Sequence, residues 1–378
     1  MSAGVNLILK IGPGVPLTAP KWLLDALQSV EVTSKSFSAS GFKLVFSIDT
    51  GKRWETLLAV VGGVSVPLVR ITIAVTLGGT TERIMDGVVT NQHFDVDKQG
   101  GTTLTIVGED LTRLMDYREV SGLPFPAMPA ELQVLALLAK YAVFGVIPVI
   151  IPSVMVDVPI PPFHRKSQHG TDLKHIRTLA KTVGYVFYLC YSLPFKTGGP
   201  KSYAYWGPPI KVGKPQPALA LDAGAATNVE DLSFTFDDVR KEVPVIMIQN
   251  RRTKRGIPIA VGSVTPLSPP LGLAPPIPKR FKRDKSAAKW SATRAALIGM
   301  AKAAQSAEAV KVEGSLDVVR YGHILKPHRL VGMRGAGLAY DGLYYVDSVT
   351  HSIKRGEYKQ SFTLTRNARI SNVPRVWS

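Results

Sequence analysis

The chain has 378 residues, an apolar fraction of 45% and a formal net charge of +18, from 46 Lys and Arg against 28 Asp and Glu. That length accommodates two or three domains, and that apolar content excludes a chain disordered throughout. The charge suits a polyanion or an acidic neighbour: nucleic acid, acidic lipid, or a partner in an assembly. With 28 prolines and 33 glycines spread along it, the chain favours short strands and turns over long helices. Cys190 is the only cysteine, which rules out an intrachain disulfide and fits a reducing cytoplasm. In an apolar strand it reads as packing material. Met1-Ser2-Ala3-Gly4-Val5-Asn6 lacks the basic region of a signal peptide.

In chain order, a short helix is predicted after Pro20, from Lys21 to Gln28. Phe42–Ile48 alternates loosely as a strand. Val69–Leu77 alternates cleanly, with Ile71, Ile73, Val75 and Leu77 on one face. Glycine-rich turns near 80 and 100 predict hairpins, and Glu109–Met115 a closing helical turn. Residues 28–118 therefore read as a first β domain, after an N-terminal segment 1–27.

The most apolar stretch, Leu135–Val156, is interrupted by Lys140, Pro148 and Pro152. A membrane-spanning helix needs about 20 unbroken apolar residues, so no membrane span is expected. The stretch reads as a buried helix, within a helical pattern over 130–143, followed by a strand. A second helix is predicted with Thr171 as its N-cap, Asp172 in its first turn and Gly184 just past its end. Its apolar stripe is Leu173, Ile176, Leu179, Ala180 and Val183. The strand Tyr185–Leu189, a turn at Lys196–Pro200 and a returning strand Ser202–Trp206 complete an inserted mixed domain over 119–227.

A second β domain is expected over 228–369, opening with Leu232–Phe236 and Val243–Ile248. A proline-rich basic loop at 256–285 and an alanine-rich helix at 287–310 interrupt it, and 370–378 forms a tail. The two β domains share a repeat. Asp86-Gly87-Val88-Val89-Thr90, continuing to Thr103–Ile106, matches Asp341-Gly342-Leu343-Tyr344-Tyr345, continuing to Ser361–Leu364. Both copies read as turn, strand, polar glycine turn, strand. They lie too far apart for a solenoid.

Little else points to chemistry. His164, His169 and His175 match no ligand spacing, and no Cys or carboxylate accompanies them at ligand spacing, so no metal or cofactor is expected. His351 reads as a packed histidine. Asp95/Asp97 and Asp237/Asp238 fit turns and strand ends. Gly12-Pro13-Gly14 and Gly78-Gly79-Thr80-Thr81 lack the Gly-Lys-Ser/Thr of a phosphate loop. The strongest chemical signals are two basic runs, Arg251, Arg252, Lys254 and Arg255, then Lys279, Arg280, Lys282 and Arg283. They read either as contacts to DNA or an acidic neighbour, or as a solvated loop.

Thr171-Asp172-Leu173, Ile176, Leu179-Ala180 and Gly184-Tyr185-Val186-Phe187 resemble the central motif of the phage late control protein D family. The C-terminal run resembles it as well: Gly322-His323-Ile324-Leu325, Leu330-Val331-Gly332, Tyr340–Val346 with Val349-Thr350-His351, and Tyr358–Leu364. The resemblance implies an α+β, mainly β fold, with two similar tube-like β-barrel domains and an inserted mixed α/β domain. It implies a non-enzymatic baseplate hub of a contractile tail or related injection system. Such a hub is a homotrimer whose six barrels form a pseudo-six-fold ring between a hexameric tail tube protein and a trimeric spike protein. Baseplate wedge or tape-measure proteins, and DNA transiently in the lumen, are further expected partners. The spike is expected as a separate protein, and the location is a virion or injection particle assembled in the bacterial cytoplasm. The alternatives are a cell-wall-degrading enzyme of the same particle and a nucleic-acid-binding module.

Overall fold

The computed structural model describes residues 4–36, 38–48, 68–96, 102–126, 128–153, 167–193, 201–221, 224, 227–236, 242–249, 256–260, 269–273, 280–284, 299, 308, 310–368 and 370. Among the described residues the chain is mainly β, with one large sheet, two small sheets and short helices.

The N-terminal part holds β1 (Asn6–Pro13), β2 (Leu17–Thr18), the helix Lys21–Ala26, β3 (Leu27–Lys35), β4 (Gly41–Ile48), β5 (Val69–Leu77), β6 (Thr80–Val96) and β7 (Thr102–Asp110). The first helix stops at Ala26 because Leu27 is already extended and opens β3. In β5 the residues Ile71, Ile73, Val75 and Leu77 are all buried, as the alternation predicts. A 3-10 helix, Leu111–Met115, closes the unit, and Asp110 caps it by accepting from the Thr112 N–H.

The middle part forms a parallel-antiparallel sheet in the order β8 (Val146–Ile150), β10 (Ser202–Gly207), β9 (Val186–Cys190). The helices Ala130–Ala139 and Asp172–Val183 pack on it. Thr171 caps the second helix through its Oγ1, 3.2 Å from the Lys174 N–H. Gly184 ends that helix at φ +75°, a left-handed conformation that glycine adopts without strain. Leu173, Ile176, Ala180 and Val183 are buried in a core with Trp206, and Leu179 packs at its margin. No helix among the described residues is long and apolar enough to cross a membrane.

The C-terminal part holds β11 (Gln216–Ala220), β12 (Asp231–Phe236), β16 (Val310–Asp317), β17 (Leu330–Arg334), β18 (Gly342–Lys354) and β19 (Glu357–Arg366). Between β12 and β16 the chain leaves to make a separate sheet, β14 (Gly256–Ala260), β13 (Glu242–Gln249), β15 (Arg280–Asp284). This corrects two expectations. Residues 243–248 pair within this small sheet rather than the main one, and the expected loop at 256–285 contains two strands. Prolines hid them. Pro258 lies opposite Met247 in an edge strand and Pro244 opposite Lys282 in the central one, and a proline in either place argues locally against a strand. Most of the expected helix at 287–310 lies outside the described residues, and Val310 already belongs to β16.

The large sheet runs β12-β16-β19-β18-β3-β4-β7-β6-β5-β1-β2, with β17 and β11 joined to β18. Two runs of strands within it share one order. The N-terminal run is β3-β4-β7-β6-β5-β1, and the C-terminal run is β12-β16-β19-β18-β17-β11. Each strand of one run matches, in chain order, its counterpart in the other. All pairs are antiparallel in both runs except the last, where β1 meets β5 antiparallel and β11 meets β17 parallel. β6 and β18 carry a bulge at the same place. The register shifts between Val89 and Asn91 in one, and between Val346 and Ser348 in the other. The bulges therefore match Val89 with Val346 and Asp86 with Leu343. The sequence repeat had set Asp86 two positions earlier, against Asp341, because similarity of short peptides does not sense an extra residue in a ladder.

Candidate functional site

The two runs meet at one joint. The second half of β18 pairs antiparallel with β3, Ser348 opposite Lys35 through Lys354 opposite Ser29. Val30, Val32, Val349, His351 and Ile353 are buried there in a core that spans both runs. On the other face Thr33 and Thr350 share a hydroxyl–hydroxyl hydrogen bond of 3.0 Å. Where β3 ends, Ser36 continues the joint. Its N–H and hydroxyl both donate to the carbonyl of the bulge residue Asp347, at 3.0 and 2.8 Å.

Behind the joint lie two buried histidines. His351 Nδ1 is 2.8 Å from the Tyr358 hydroxyl. His328 stacks on Tyr188 with ring centroids 3.6 Å apart, and its Nδ1 is 2.9 Å from Ser36 Oγ. Burial holds both rings down to a pKa of about 3, so both are neutral. His351 is thus a packed side chain in the strand pair.

The middle part is fastened to the N-terminal run through Asp86. Arg70 donates to both carboxylate oxygens at 2.7 Å, Arg83 to one at 3.1 Å, and Ser202 Oγ to the same one at 2.7 Å. The Asp86 N–H reaches the Tyr191 hydroxyl at 2.9 Å. Ser202 and Tyr191 belong to the β9–β10 region, so one buried carboxylate ties two layers. The sequence marks Asp86 only as the start of the repeat, and nothing in its spacing points to partners as distant as Tyr191 and Ser202.

Two carboxylates have the raised pKa values that often mark active sites. Asp110 and Asp347 are both pushed up to about 6 by burial. The Asp110 carboxylate is engaged by the N–H and hydroxyl of Thr112 at a helix start, and Asp347 is the bulge residue of the joint. A groove of about 700 Å³ beside β11 contains one described carboxylate, Glu82, which pairs with Lys326 at 2.7 Å. No group of three metal-ligating side chains occurs among the described residues. His169 contacts Ser167, and His175 contacts Gln133 and stacks on Phe125. His164, Asp97, Asp237 and Asp238 lie outside the described residues.

Of the basic runs, Arg280, Lys282 and Arg283 lie on β15, at an edge of the small sheet, opposite Glu242, Pro244 and Val245 of β13. The residues Arg251, Arg252, Lys254, Arg255 and Lys279 lie outside the described residues. Two strand edges of the runs carry no further strand among the described residues. The second half of β6 pairs only with β7 among the described residues, and Phe94 and Val96 there are 42% and 64% exposed. Among the described residues β12 pairs only with β16, with Leu232, Phe234 and Phe236 half-buried.

No protein-family model matches the chain, and no curated protein matches it. Solved structures do. A tail protein from Neisseria meningitidis MC58 aligns at TM-score 0.63 and 14% identity, over 96% of this chain and 97% of that one. The 43 kDa tail protein of prophage MuSo2 from Shewanella oneidensis aligns at TM-score 0.60 and 14% identity, over 96% and 99%. The E. coli c3393 protein, a type VI secretion component described as similar to the T4 bacteriophage tail proteins gp27 and gp5, aligns at TM-score 0.50 and 12% identity, over 92% and 77%. The chain therefore has a phage tail protein fold. It is the fold of the Neisseria and Shewanella tail proteins over nearly their whole length.

Proposed function

We propose that this chain is a structural baseplate hub: a homotrimer that joins a six-fold tail tube to a three-fold spike. The observation that carries the reading is the repeated strand order. A subunit that presents one architecture twice offers three copies of itself as six similar units, and so adapts one symmetry to the other. We propose residues 28–118 and 228–369 as the two tube-like domains, each completed by one strand from outside those bounds, β1 for the first and β11 for the second, with the rest of 119–227 inserted between them. The likeness to tail proteins supports a role in a virion or injection particle, with tube, spike and wedge or tape-measure proteins as neighbours. The role is non-enzymatic in this reading. The basic residues Arg251, Arg252, Lys254, Arg255, Lys279, Arg280, Lys282 and Arg283 are proposed contacts for an acidic neighbour or for DNA passing the lumen.

Sedimentation equilibrium tests the reading. A trimer that binds tube and spike proteins is expected. A chain that stays monomeric at high concentration and binds neither overturns it. Reversing Arg280, Lys282 and Arg283 to Glu is expected to weaken DNA retention and flatten its salt dependence by up to about one phosphate contact per residue. An unchanged salt slope removes β15 from the proposed contacts.

A further inference from the structure

The joint between β3 and β18 uses one edge from each run of strands. The equivalents of those two edges are β12, which matches β3, and the second half of β6, which matches the second half of β18. Among the described residues each chain therefore contains the joint once complete and once as two separated halves. We infer that the second half of β6 in one subunit pairs antiparallel with β12 of a second copy of this chain, in the register that β18 and β3 use within the chain. The inference rests on the hub reading and deepens it by naming the strands that close the ring.

The register can be carried over residue by residue. The bulges set Asn91 against Ser348, so Phe94 corresponds to His351 and Val96 to Ile353. The pairings to β4 and β16, read through β7 and β19, set Val30 against Leu232 and Val32 against Phe234. Within the chain His351 faces Val32, and Ile353 faces Val30. Between copies Phe94 then faces Phe234, and Val96 faces Leu232.

That register brings exposed apolar side chains of one edge onto half-buried apolar side chains of the other. The faces also agree. Val30, Val32, His351 and Ile353 are all buried, and their equivalents are the apolar residues of their strands. A shift of one residue would put Phe94 opposite Ser233 or Thr235 and lose the match. Strand edges that carry exposed apolar side chains, such as Phe94 and Val96, attract other strands. The contact is heterologous, since β6 and β12 differ. Each subunit gives one edge and accepts one, the condition for a closed ring.

The test uses two single-cysteine additions, Val96→Cys and Leu232→Cys, made separately and co-expressed with different tags. The native Cys190 does not interfere, because it is buried and its thiol is pushed up to about 12. A short bis-maleimide is expected to link the two tagged chains to each other and to link neither variant to itself. Linkage within one variant alone, β6 to β6 or β12 to β12, overturns the inference. So does a wild-type trimer whose mixed variants fail to link, and that result leaves the hub reading standing. A chain monomeric at every concentration overturns both. As a second measurement, Phe94→Lys is expected to lower trimer affinity at least tenfold while far-UV circular dichroism stays unchanged. Val143→Lys, at an exposed position of the middle part, serves as the control. Phe94→Lys with wild-type trimer affinity counts against the register.

Discussion

Thr33 and Thr350 stand 317 positions apart in sequence and face each other across β3 and β18 with their hydroxyls 3.0 Å apart. The pair marks where the two runs of strands become one sheet. A cross-strand Thr–Thr pair contributes about 0.2–1 kcal/mol. The single variants Thr33→Val and Thr350→Val are expected to lose stability, and the double variant to lose less than their sum. Urea unfolding of the four proteins measures the coupling. A coupling of zero would place the stability of the joint wholly in its apolar face, which Val32→Asp probes directly. That variant buries a carboxylate between Phe42 and the neutral His351, the residues opposite Val32 on its two neighbouring strands, and a loss of stability larger than that of either threonine variant is expected.

Below that face the joint holds two neutral histidines, and this sets an acid limit. His328 and His351 have folded pKa values near 3, well below the ordinary 6.5, because burial disfavours the imidazolium. As pH falls below 6.5 the unfolded chain takes up protons that the folded chain refuses. Stability from each histidine is complete above that point and is lost progressively down to about pH 3. Asp110 and Asp347 act in the opposite sense. With folded pKa values near 6, each favours folding most below the ordinary 3.8 and less as pH rises to 6. A single-residue comparison separates the two effects. Between pH 7 and pH 5, wild type is expected to lose about 2 kcal/mol more than His351→Gln. Parallel urea midpoints for the two proteins over that range would show that His351 is not buried as described.

The secondary structure was largely legible because it rests on local signals. Thr171 and Gly184 bracket a helix by capping, and Ile71, Ile73, Val75 and Leu77 declare a half-buried strand by alternation. The small sheet was not legible. Pro244 and Pro258 argue against strands locally, and only pairing between distant segments makes strands there. The repeat was visible but two residues out of register, since bulges at Thr90 and Asp347 leave no trace in composition. Asp86 was read as a turn residue. Its work as an anchor depends on Ser202 and Tyr191, more than a hundred positions away, and no spacing rule reaches that far.

That anchor gives a third prediction. Asp86 is fully buried and accepts from Arg70, Arg83 and Ser202. Removing one side of a buried ion pair costs about 3–5 kcal/mol, because the cations lose their counter-charge and remain in place. Asp86→Asn is expected to cost that much in chemical unfolding. Replacing Arg70 and Asp86 together with Met and Leu is expected to recover a large part of the loss. If Asp86→Asn unfolds like wild type, the middle part is held by its apolar contacts through Val88, Leu111 and Met115 instead.

The last prediction concerns how β12 is seated. Gly314 of β16 lies opposite Leu232, and its counterpart in the N-terminal run is the buried Leu44 of β4. A Cβ at Gly314 would stand 2.4 Å from the Asp231 carbonyl oxygen and 2.9 Å from Phe362 Cζ. The carbonyl belongs to β12 itself, so Gly314→Ala must push that strand outward. Overpacking of this kind costs about 1–3 kcal/mol. Gly335→Ala supplies the comparison. Its Cβ would stand 1.8 Å from the Leu221 carbonyl at a backbone φ of +85°, so it is strained as well, but away from β12. Both variants are expected to melt earlier than wild type. If β12 is the edge that a second copy grips, only Gly314→Ala weakens the trimer beyond what its loss of monomer stability explains, measured as the dissociation constant at a temperature where both variants are fully folded. Equal weakening by the two would mean that trimer strength follows general stability and not the position of β12.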